Sequence, residues 1–380
     1  MAVLTFDIDN QRRDFDVADE IARYVPDVTQ WAVLLMRARK RPTGSAQFFW
    51  YDEDVYISWT QINNASGYNE SATQLVVDDA RFVAPKDLIK VPRTGEVMFV
   101  TSVDLATNTI TVVRGYSGTA AASLNDNDWM HRMGNAMEEN SLSPQPKLKQ
   151  PDKFWNYVQE VRTPFDESDT SAAEDKKTRE NERQRLRRSK AIDHRLDIER
   201  ISLFGVPYED TSNNRRTTGG IESYIKTNVI DFTAAGGVMT EDDLEEQVLE
   251  PIFAYGSGRK LIVASPRVAS VINRYGRDKI EVRNGSETYG MRLRFYKSFH
   301  GDVGLVVSRV LEQTYASWAF VLDMDYIYYR PLRGRDTKLR ANIQENDRDG
   351  WKDEYMTKFG MEVRLEKAHA IIKGVTKAAS

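Results

Sequence analysis

Apolar and β-branched residues alternate in short runs over residues 74–133, and QLVVDD, DLIKVP, EVMFVTSVD, NTITVVRG and DWMHRM each read as a strand. Ala84-Pro85-Lys86, Arg93-Thr94-Gly95, Ala106-Thr107-Asn108 and the stretch Gly115 to Gly118 punctuate them. Short strands at even spacing predict a small barrel or sandwich, with a rigid decoration as its plainest role. Ahead of them QFFWYDEDVYISWTQIN is aromatic and β-branched and predicts a strand or hairpin arm. Earlier still, Asp27 before VTQWAVLLMRARK predicts a short capped helix with cations at its C-terminal end. The prolines of SLSPQPKLKQPD mark a connector, after which NYVQEVRTPFD returns to a strand pattern.

The period then changes. Residues 172–204 contain neither Gly nor Pro and predict one long helix, capped by Asp169 or Ser171 and stopped by Gly205 and Pro207. Its apolar positions are sparse until the end (Leu186, Ile192, Leu196, Ile201, Leu203), and no heptad seam is sustained. Arg183, Arg185, Arg187, Arg188 and Lys190 are interleaved with acids, the pattern of an exposed helix laced with ion pairs rather than a nucleic-acid stripe. From 215 to 332 helix and strand signals alternate. DDLEEQVLEPIFAYG and PRVASVINRYG read as helices; RKLIVASP, MRLRFYKS, VGLVVSRV, SWAFVLDM and DYIYYRPL read as strands around one sheet. MEVRLEKAHAIIKGV closes the chain as a strand. The fold class is α+β.

Composition narrows the function. At 380 residues the chain has room for two or three domains, and without cysteine it has no disulfides or thiolate metal sites. No apolar run approaches membrane-spanning length and no signal-peptide order opens the chain, so a soluble protein that is not exported by the usual route is expected. Fifty-three basic against 57 acidic residues leave −4, without the basic excess of a dedicated nucleic-acid binder. His131, His194, His300 and His369 stand apart, and there is no nucleophile elbow, Walker sequence or dinucleotide fingerprint. Gly256-Ser257-Gly258-Arg259-Lys260 precedes a strand, the wrong context for a phosphate loop. Asp323-Met324-Asp325 has metal-pair spacing but is too short to be specific. No catalytic, cofactor or metal residue is assigned.

Three stretches carry a resemblance: Asn156-Tyr157-Val158-Gln159 with the charged helix ending Asp197 to Gly205; Thr218-Gly219-Gly220-Ile221; and Phe299 to Gly304, Asp323 to Ile327, then Leu332 to Val375. With them the chain resembles the major capsid proteins of tailed bacteriophages that have the Hong Kong 97-type fold, in the subgroup with a β-rich insertion before the spine helix. The resemblance implies an N-terminal arm (1–45), an extended loop (46–171) with the insertion at about 72–135, a spine helix (172–215), an axial domain (216–332) and the C-terminal part of a peripheral domain (333–380). It implies a structural protein, not an enzyme, that assembles with itself as hexamers and pentamers into an icosahedral shell. Packaged double-stranded DNA would lie inside, without sequence-specific binding. A separate scaffolding protein, a portal and a decoration protein are the further implied partners, with assembly in the host cytoplasm and no membrane. Candidate intersubunit contacts are Arg183, Arg187, Arg188, Arg330, Arg333, Arg335, Arg340, Trp50 and Trp59. The alternatives are the shell of a bacterial nanocompartment and, in another class, a soluble α+β enzyme or ligand-binding protein.

Overall fold

A computed structural model describes residues 30–37, 39–53, 58–140, 150–174, 181–275, 280–281 and 294–378. The expectations for residues 1–29 of the arm, for 141–149 of the connector and for 175–180 of the charged stretch lie outside these residues. The chain forms two compact units, Tyr51–Asp152 and the combination of Met1–Trp50 with Lys153–Ser380.

Strand β1 (Gln47–Asp52) is followed by six strands of the first unit: β2 (Trp59–Gln61), β3 (Gln74–Val76), β4 (Asp87–Lys90), β5 (Val97–Asp104), β6 (Thr109–Val113) and β7 (Trp129–Asn135). They form one sheet in the order β2-β7-β4-β5-β6-β3. Its edges meet: Ile62 bridges Val77, with Asn63 N donating to Val76 O at 3.0 Å and Asp78 N to Gln61 O at 3.1 Å. The sheet therefore curls into a barrel whose two end strands meet at one bridge. Leu75, Ile89, Met98, Val100, Ile110 and Met130 fill it. A buried ion pair ties its loops. Arg114 Nε and Nη2 reach the two Glu96 carboxylate oxygens at 2.7 and 2.8 Å, and its remaining N–H groups reach the carbonyls of Asn69, Ala72 and Ala122. The amides of Gly115 and Ala122 add hydrogen bonds to Glu96, both at 3.1 Å.

In the second unit, β8 (Asp152–Tyr157) pairs with β1, and β9 (Gln159–Glu167) follows. The single helix expected over 172–204 is two: α2 (Asp169–Ala173) and α3 (Glu182–Phe204). Glu174 and Asn181 are extended, and Ser168 and Asn181 cap the two helices by accepting from the amides of Ser171 and Gln184, both at 3.2 Å. Each cap satisfies an amide that has no partner within its own helix, so a polar break costs little there.

After α3 come the hairpin β10 (Tyr208–Asp210) and β11 (Arg215–Thr217), then α4 (Ile221–Tyr224), β12 (Val229–Asp231) and β13 (Val238–Met239). A helix follows whose turns over Asp243–Leu249 are π-helical and which continues as α5 (Glu250–Phe253). The wide turns precede Pro251, whose ring has no place for an ordinary i−4 bond. The remaining elements are β14 (Arg259–Ala264), α6 (Pro266–Tyr275), β15 (Ile280–Glu281), β16 (Arg294–Lys297), β17 (Asp302–Val307), β18 (Ala319–Leu322), β19 (Ile327–Pro331), β20 (Lys338–Arg340), β21 (Trp351–Val363), β22 (Ala370–Lys373) and β23 (Lys377–Ala378).

Two sheets organise this unit. The larger has the order β12-β22-β18-β14-β17-β16-β15. Leu261, Val263, Phe320 and Leu322 face one core, while Ile262, Ala264, Ala319 and Val321 face another. Burial on both faces explains why these strands read as continuous apolar runs. In the smaller sheet the long β21 pairs with β9 from Trp351–Glu167 to Phe359–Gln159, and with β19 from Ile327–Val363 to Pro331–Phe359. Two sequence readings need correction. DYIYYRPL does not extend the larger sheet: β19 pairs with β21 in the smaller one. The closing segment MEVRLEKAHAIIKGV is not one strand: it holds the end of β21, a 3-10 turn over Glu366–Ala368, and β22, which joins the larger sheet between β12 and β18.

The short helix expected near the start is α1 (Gln30–Arg37). Trp31, Leu34 and Leu35 bury beside Ile198 and Leu203 of α3. Glu199 holds it by accepting from the Ala32 amide in its first turn at 3.2 Å, and Trp31 Nε1 donates to Ser202 Oγ at 2.9 Å.

Candidate functional site

All three stretches that carry the resemblance meet in space, the third through Met361 in its last segment. Asn156 is fully buried at the end of β8. It accepts from the Gly219 amide at 2.7 Å and donates to the carbonyls of Gly219 and Met361 at 3.0 and 2.6 Å. Gln159 accepts from the Thr218 amide at 3.0 Å. The turn 218–220 lies against the end of α3, where Gly220 N donates to Gly205 O at 2.8 Å. A Cβ at Gly205 would stand 2.3 Å from the Thr218 carbonyl, and one at Gly220 would stand 2.7 Å from Gly205 N. Glycine is required at both positions by close backbone approach. This knot locks β8, α3, the turn and β21 together.

The charged face of α3 divides in two. Arg183 and Arg187 leave the helix to converge on the buried Asp353 of β21. Arg183 binds both carboxylate oxygens at 2.6 and 3.0 Å, and Arg187 binds one at 2.8 and 3.0 Å. Asn342 N adds a hydrogen bond at 3.0 Å. Burial pushes the Asp353 carboxyl up, but the guanidinium of Arg183 and these donors hold it below the usual carboxylate range. The other pairs run along the helix: Arg185–Glu182, Lys190–Asp193 and Arg200–Asp197. Arg188 is exposed.

The remaining predicted contact residues scatter. Trp50 is only 2% exposed and packs against Phe48, Phe154 and Tyr224, so its ring is used within its own chain. Trp59 is exposed on the barrel, in the same unit as the exposed Trp129 and Met133. Arg333 and Arg335 are exposed in the turn between β19 and β20, and Arg340 pairs with Glu354 at 2.8 Å. Arg330 is nearly buried against Glu362. Sequence reasoning named Phe299, fully exposed between β16 and β17, only as the start of a motif and not as a contact, and did not single out Val206 and Tyr208 after α3. A surface cleft of about 460 Å³ lies beside that hairpin, lined by Val158, Arg215, Arg216, Leu332 and Lys358 among others.

Asp323, half of the metal-like pair, has its carboxylate filled from within. Lys260 Nζ lies at 2.9 Å, Ser257 N and Oγ at 2.6 and 2.9 Å, and Asp325 N at 3.0 Å. The Gly256–Lys260 loop that resembles a phosphate loop thus cradles a carboxylate of its own chain. His369 Nδ1 accepts from the Asp323 amide at 3.0 Å, and Nε2 lies 2.9 Å from the Arg364 carbonyl, so the neutral ring satisfies both neighbours. Burial pushes its pKa down to about 4. An unfolded histidine near 6.5 therefore binds a proton that the folded one refuses. The stability this group contributes is fully present above pH 6.5 and is lost as the pH falls toward 4, about 3 kcal/mol in all. Urea midpoints of the unassembled chain should fall over that window. His369→Gln, whose amide can accept and donate in the same two directions, should flatten the fall. An equal slope in that variant would refute the assignment.

A protein-family model described as SU10 major capsid protein matches residues 3–376. No curated protein matches the sequence. Among solved structures, the capsid of a native GTA particle aligns over 96% of this chain and 96% of its own at 10% identity, with a TM-score of 0.51. The SrpI encapsulin complex of Synechococcus elongatus PCC 7942 aligns over 97% and 96% at 11% identity and a TM-score of 0.48. Mycobacterium phage Bobi gives 100% and 100%, 8% identity and 0.44.

Proposed function

The chain belongs to the SU10 major capsid protein family, a structural protein of the virion shell with the Hong Kong 97-type fold, and from that premise we propose that it closes an icosahedral phage head as hexamers and pentamers of itself around double-stranded DNA. The observation that carries this reading is the family match over nearly the whole chain, residues 3–376. In it the larger sheet serves as the axial domain, and α3 with the β9–β21 ladder as the peripheral domain. Residues 1–45 act as the arm, and the stretch from 46 to 171, holding the barrel, as the extended loop. The ladder and the Arg183–Asp353–Arg187 clamp make a stiff lever, which suits a subunit that must keep its shape while its neighbours are added.

The contact surface we propose is drawn from exposed groups: Arg188, Arg333 and Arg335, with Trp59, Tyr208 and Phe299 as apolar anchors. Exposed ion pairs contribute little singly, so the anchors carry more of each contact. A separate scaffolding protein, a portal and a decoration protein complete the partners, and assembly takes place in the host cytoplasm. A near-neutral chain at −4 contains DNA without gripping it.

Light scattering and negative-stain microscopy of the purified chain, expressed with and without its scaffold, test this directly. Shells or rings of pentamers and hexamers are expected. A monomer that persists across salt and pH would overturn the proposal. Particles that hold other proteins and no nucleic acid would favour the nanocompartment.

A further inference from the structure

On the face of the smaller sheet away from its core, three guanidiniums converge on one carboxylate. Glu362 is fully buried on β21. Arg364 Nε lies 2.5 Å from its Oε1, Arg41 Nη1 lies 3.7 Å from the same atom, and Arg330 Nη1 lies 3.1 Å from Oε2. The backbone fixes all three. Residues 40–43 run parallel beside β19 through the bridges Lys40–Tyr329 and Thr43–Leu332, which brings Arg41 next to Arg330. Aromatic rings confine the heads: Arg41 and Arg364 sit 4.0 and 5.4 Å from the centre of the Tyr328 ring, and Arg330 sits 4.8 Å from that of Phe48.

The charges do not balance. Among the described residues one carboxylate faces the three cations, which leaves two positive charges in a niche where Arg330 is 17% exposed. Arg330 Nε and Glu362 Oε2 are both buried without a hydrogen bond among the described residues, because the Arg330–Glu362 approach lies off the donor axis. Like charges held this close repel, most strongly at the largely buried Arg330, and a buried donor left unused costs free energy. A second oxyanion offsets the excess positive charge and can accept from Arg330 Nε. The Arg183–Asp353–Arg187 clamp shows the satisfied form elsewhere in the chain, with one carboxylate to two guanidiniums and every carboxylate oxygen bonded.

We propose that the Arg41–Arg330–Arg364 niche is an oxyanion site and that the oxyanion is a carboxylate side chain of a second copy of this chain. Two features favour a side chain over the DNA backbone. The buried Tyr328 ring, its centre 4.0 Å from the Arg41 guanidinium, covers one side of that cation, whereas a phosphate backbone needs an open basic track. And the chain, with 57 acidic residues against 53 basic, has carboxylates to offer. Only the source of the anion rests on the shell reading; the anion site does not.

Arg41→Gln and Arg41→Ala test it, since the Arg41 guanidinium is partly exposed and stands 3.7 Å from Glu362, so its loss relieves repulsion while Arg364 keeps its hydrogen bond to the carboxylate. The expected pattern separates two readouts. The urea midpoint of the unassembled variants should equal or exceed that of the unchanged chain, while the subunit concentration for half-assembly rises by about tenfold or more. Inorganic phosphate, titrated at constant ionic strength, should raise the thermal midpoint of the unassembled chain saturably and leave both variants unmoved. This last arm needs no shell, so it stands even if assembly fails. Variants that weaken the isolated chain and ignore phosphate would show a closed intrachain network and overturn the site. Variants whose empty shells match the unchanged ones, while DNA-filled shells lose stability, would assign the anion to DNA and overturn the second-copy source.

Discussion

Asp323→Ala should destabilise the unassembled chain by about 3–5 kcal/mol, because it strands Lys260 as an unpaired charge in the core. Both side chains of that pair are completely buried. Burial alone would raise the Asp323 carboxyl, but Lys260, the Ser257 amide and the Ser257 hydroxyl hold it below its ordinary range. Among the described residues the other hydrogen bond of Lys260 goes to the Tyr255 carbonyl at 2.9 Å, and the Phe253 ring lies 5.5 Å away; neither carries a charge that neutralises it. The Asp323 carboxylate also orders the Gly256–Lys260 loop through Ser257, and the Asp323 amide meets His369 next to β22. One residue therefore ties the entry to β14, the exit of β18 and the start of β22, the last through its backbone amide. Urea unfolding followed by tryptophan fluorescence measures the loss. The charge argument is checked by pairing Asp323→Leu with Lys260→Met. Removing both charges should restore most of the stability that either single change loses. A double variant as weak as the singles would show that the loop hydrogen bonds, not the ion pair, carry the effect.

That pair also shows where a sequence stops being legible. The Asp323-Met324-Asp325 spacing was visible, but Lys260 stands 63 positions earlier, and nothing local says that they meet. The same limit explains β19. Ile327, Tyr329 and Pro331 are buried, as are Tyr328 and most of Arg330, so the run looks like the apolar strands before it. Local pattern reports burial on both faces but not which sheet supplies the neighbours. Trp50 fails for a related reason. Strand β1 reads Phe-Phe-Trp-Tyr, aromatic on both faces, so composition could not separate the buried Phe48 and Trp50 from the exposed Phe49.

What was legible had local causes. The strands of the barrel alternate and are separated by turn residues, and five of the six appear where the pattern puts them. Gly205 and the Thr218-Gly219-Gly220 turn stood out as motifs, and the reason is steric: each backbone occupies the space a side chain would need on the other. Asn156 was quoted within a motif, yet its work is invisible without the fold, since its partners Gly219 and Met361 lie 63 and 205 positions away.

Glu96→Ala should unfold the barrel selectively. Among the described barrel residues, no other ion pair is buried so completely on both sides, with Arg114 and Glu96 side chains 6% and 0% exposed. Glu96 accepts four hydrogen bonds, two from Arg114 and one each from the Gly115 and Ala122 amides. Arg114 in turn satisfies the carbonyls of Asn69, Ala72 and Ala122, so the pair is the post on which three loops are tied. The Glu96 carboxyl would be raised by its burial, but Arg114 and the two amides hold it below the ordinary value. Its contribution is therefore present above the unfolded glutamate range near pH 4 and is lost as the pH falls through the lower folded value. Removing it leaves the Arg114 charge and two amides unanswered inside a unit of about a hundred residues, a loss of about 3–5 kcal/mol. A domain of that size has about 5–15 kcal/mol to lose, so the barrel should open at a far lower urea concentration while the rest of the chain holds. Hydrogen exchange resolves the two units. Amides of β4, β5 and β6 should lose protection in Glu96→Ala, and those of β9 and β21 should keep theirs. Glu96→Gln, which retains both acceptor and shape but not the charge, should fall between. Equal loss of protection in both units would mean that they unfold together, and the barrel would then be part of the shell's framework rather than a separately stable insertion.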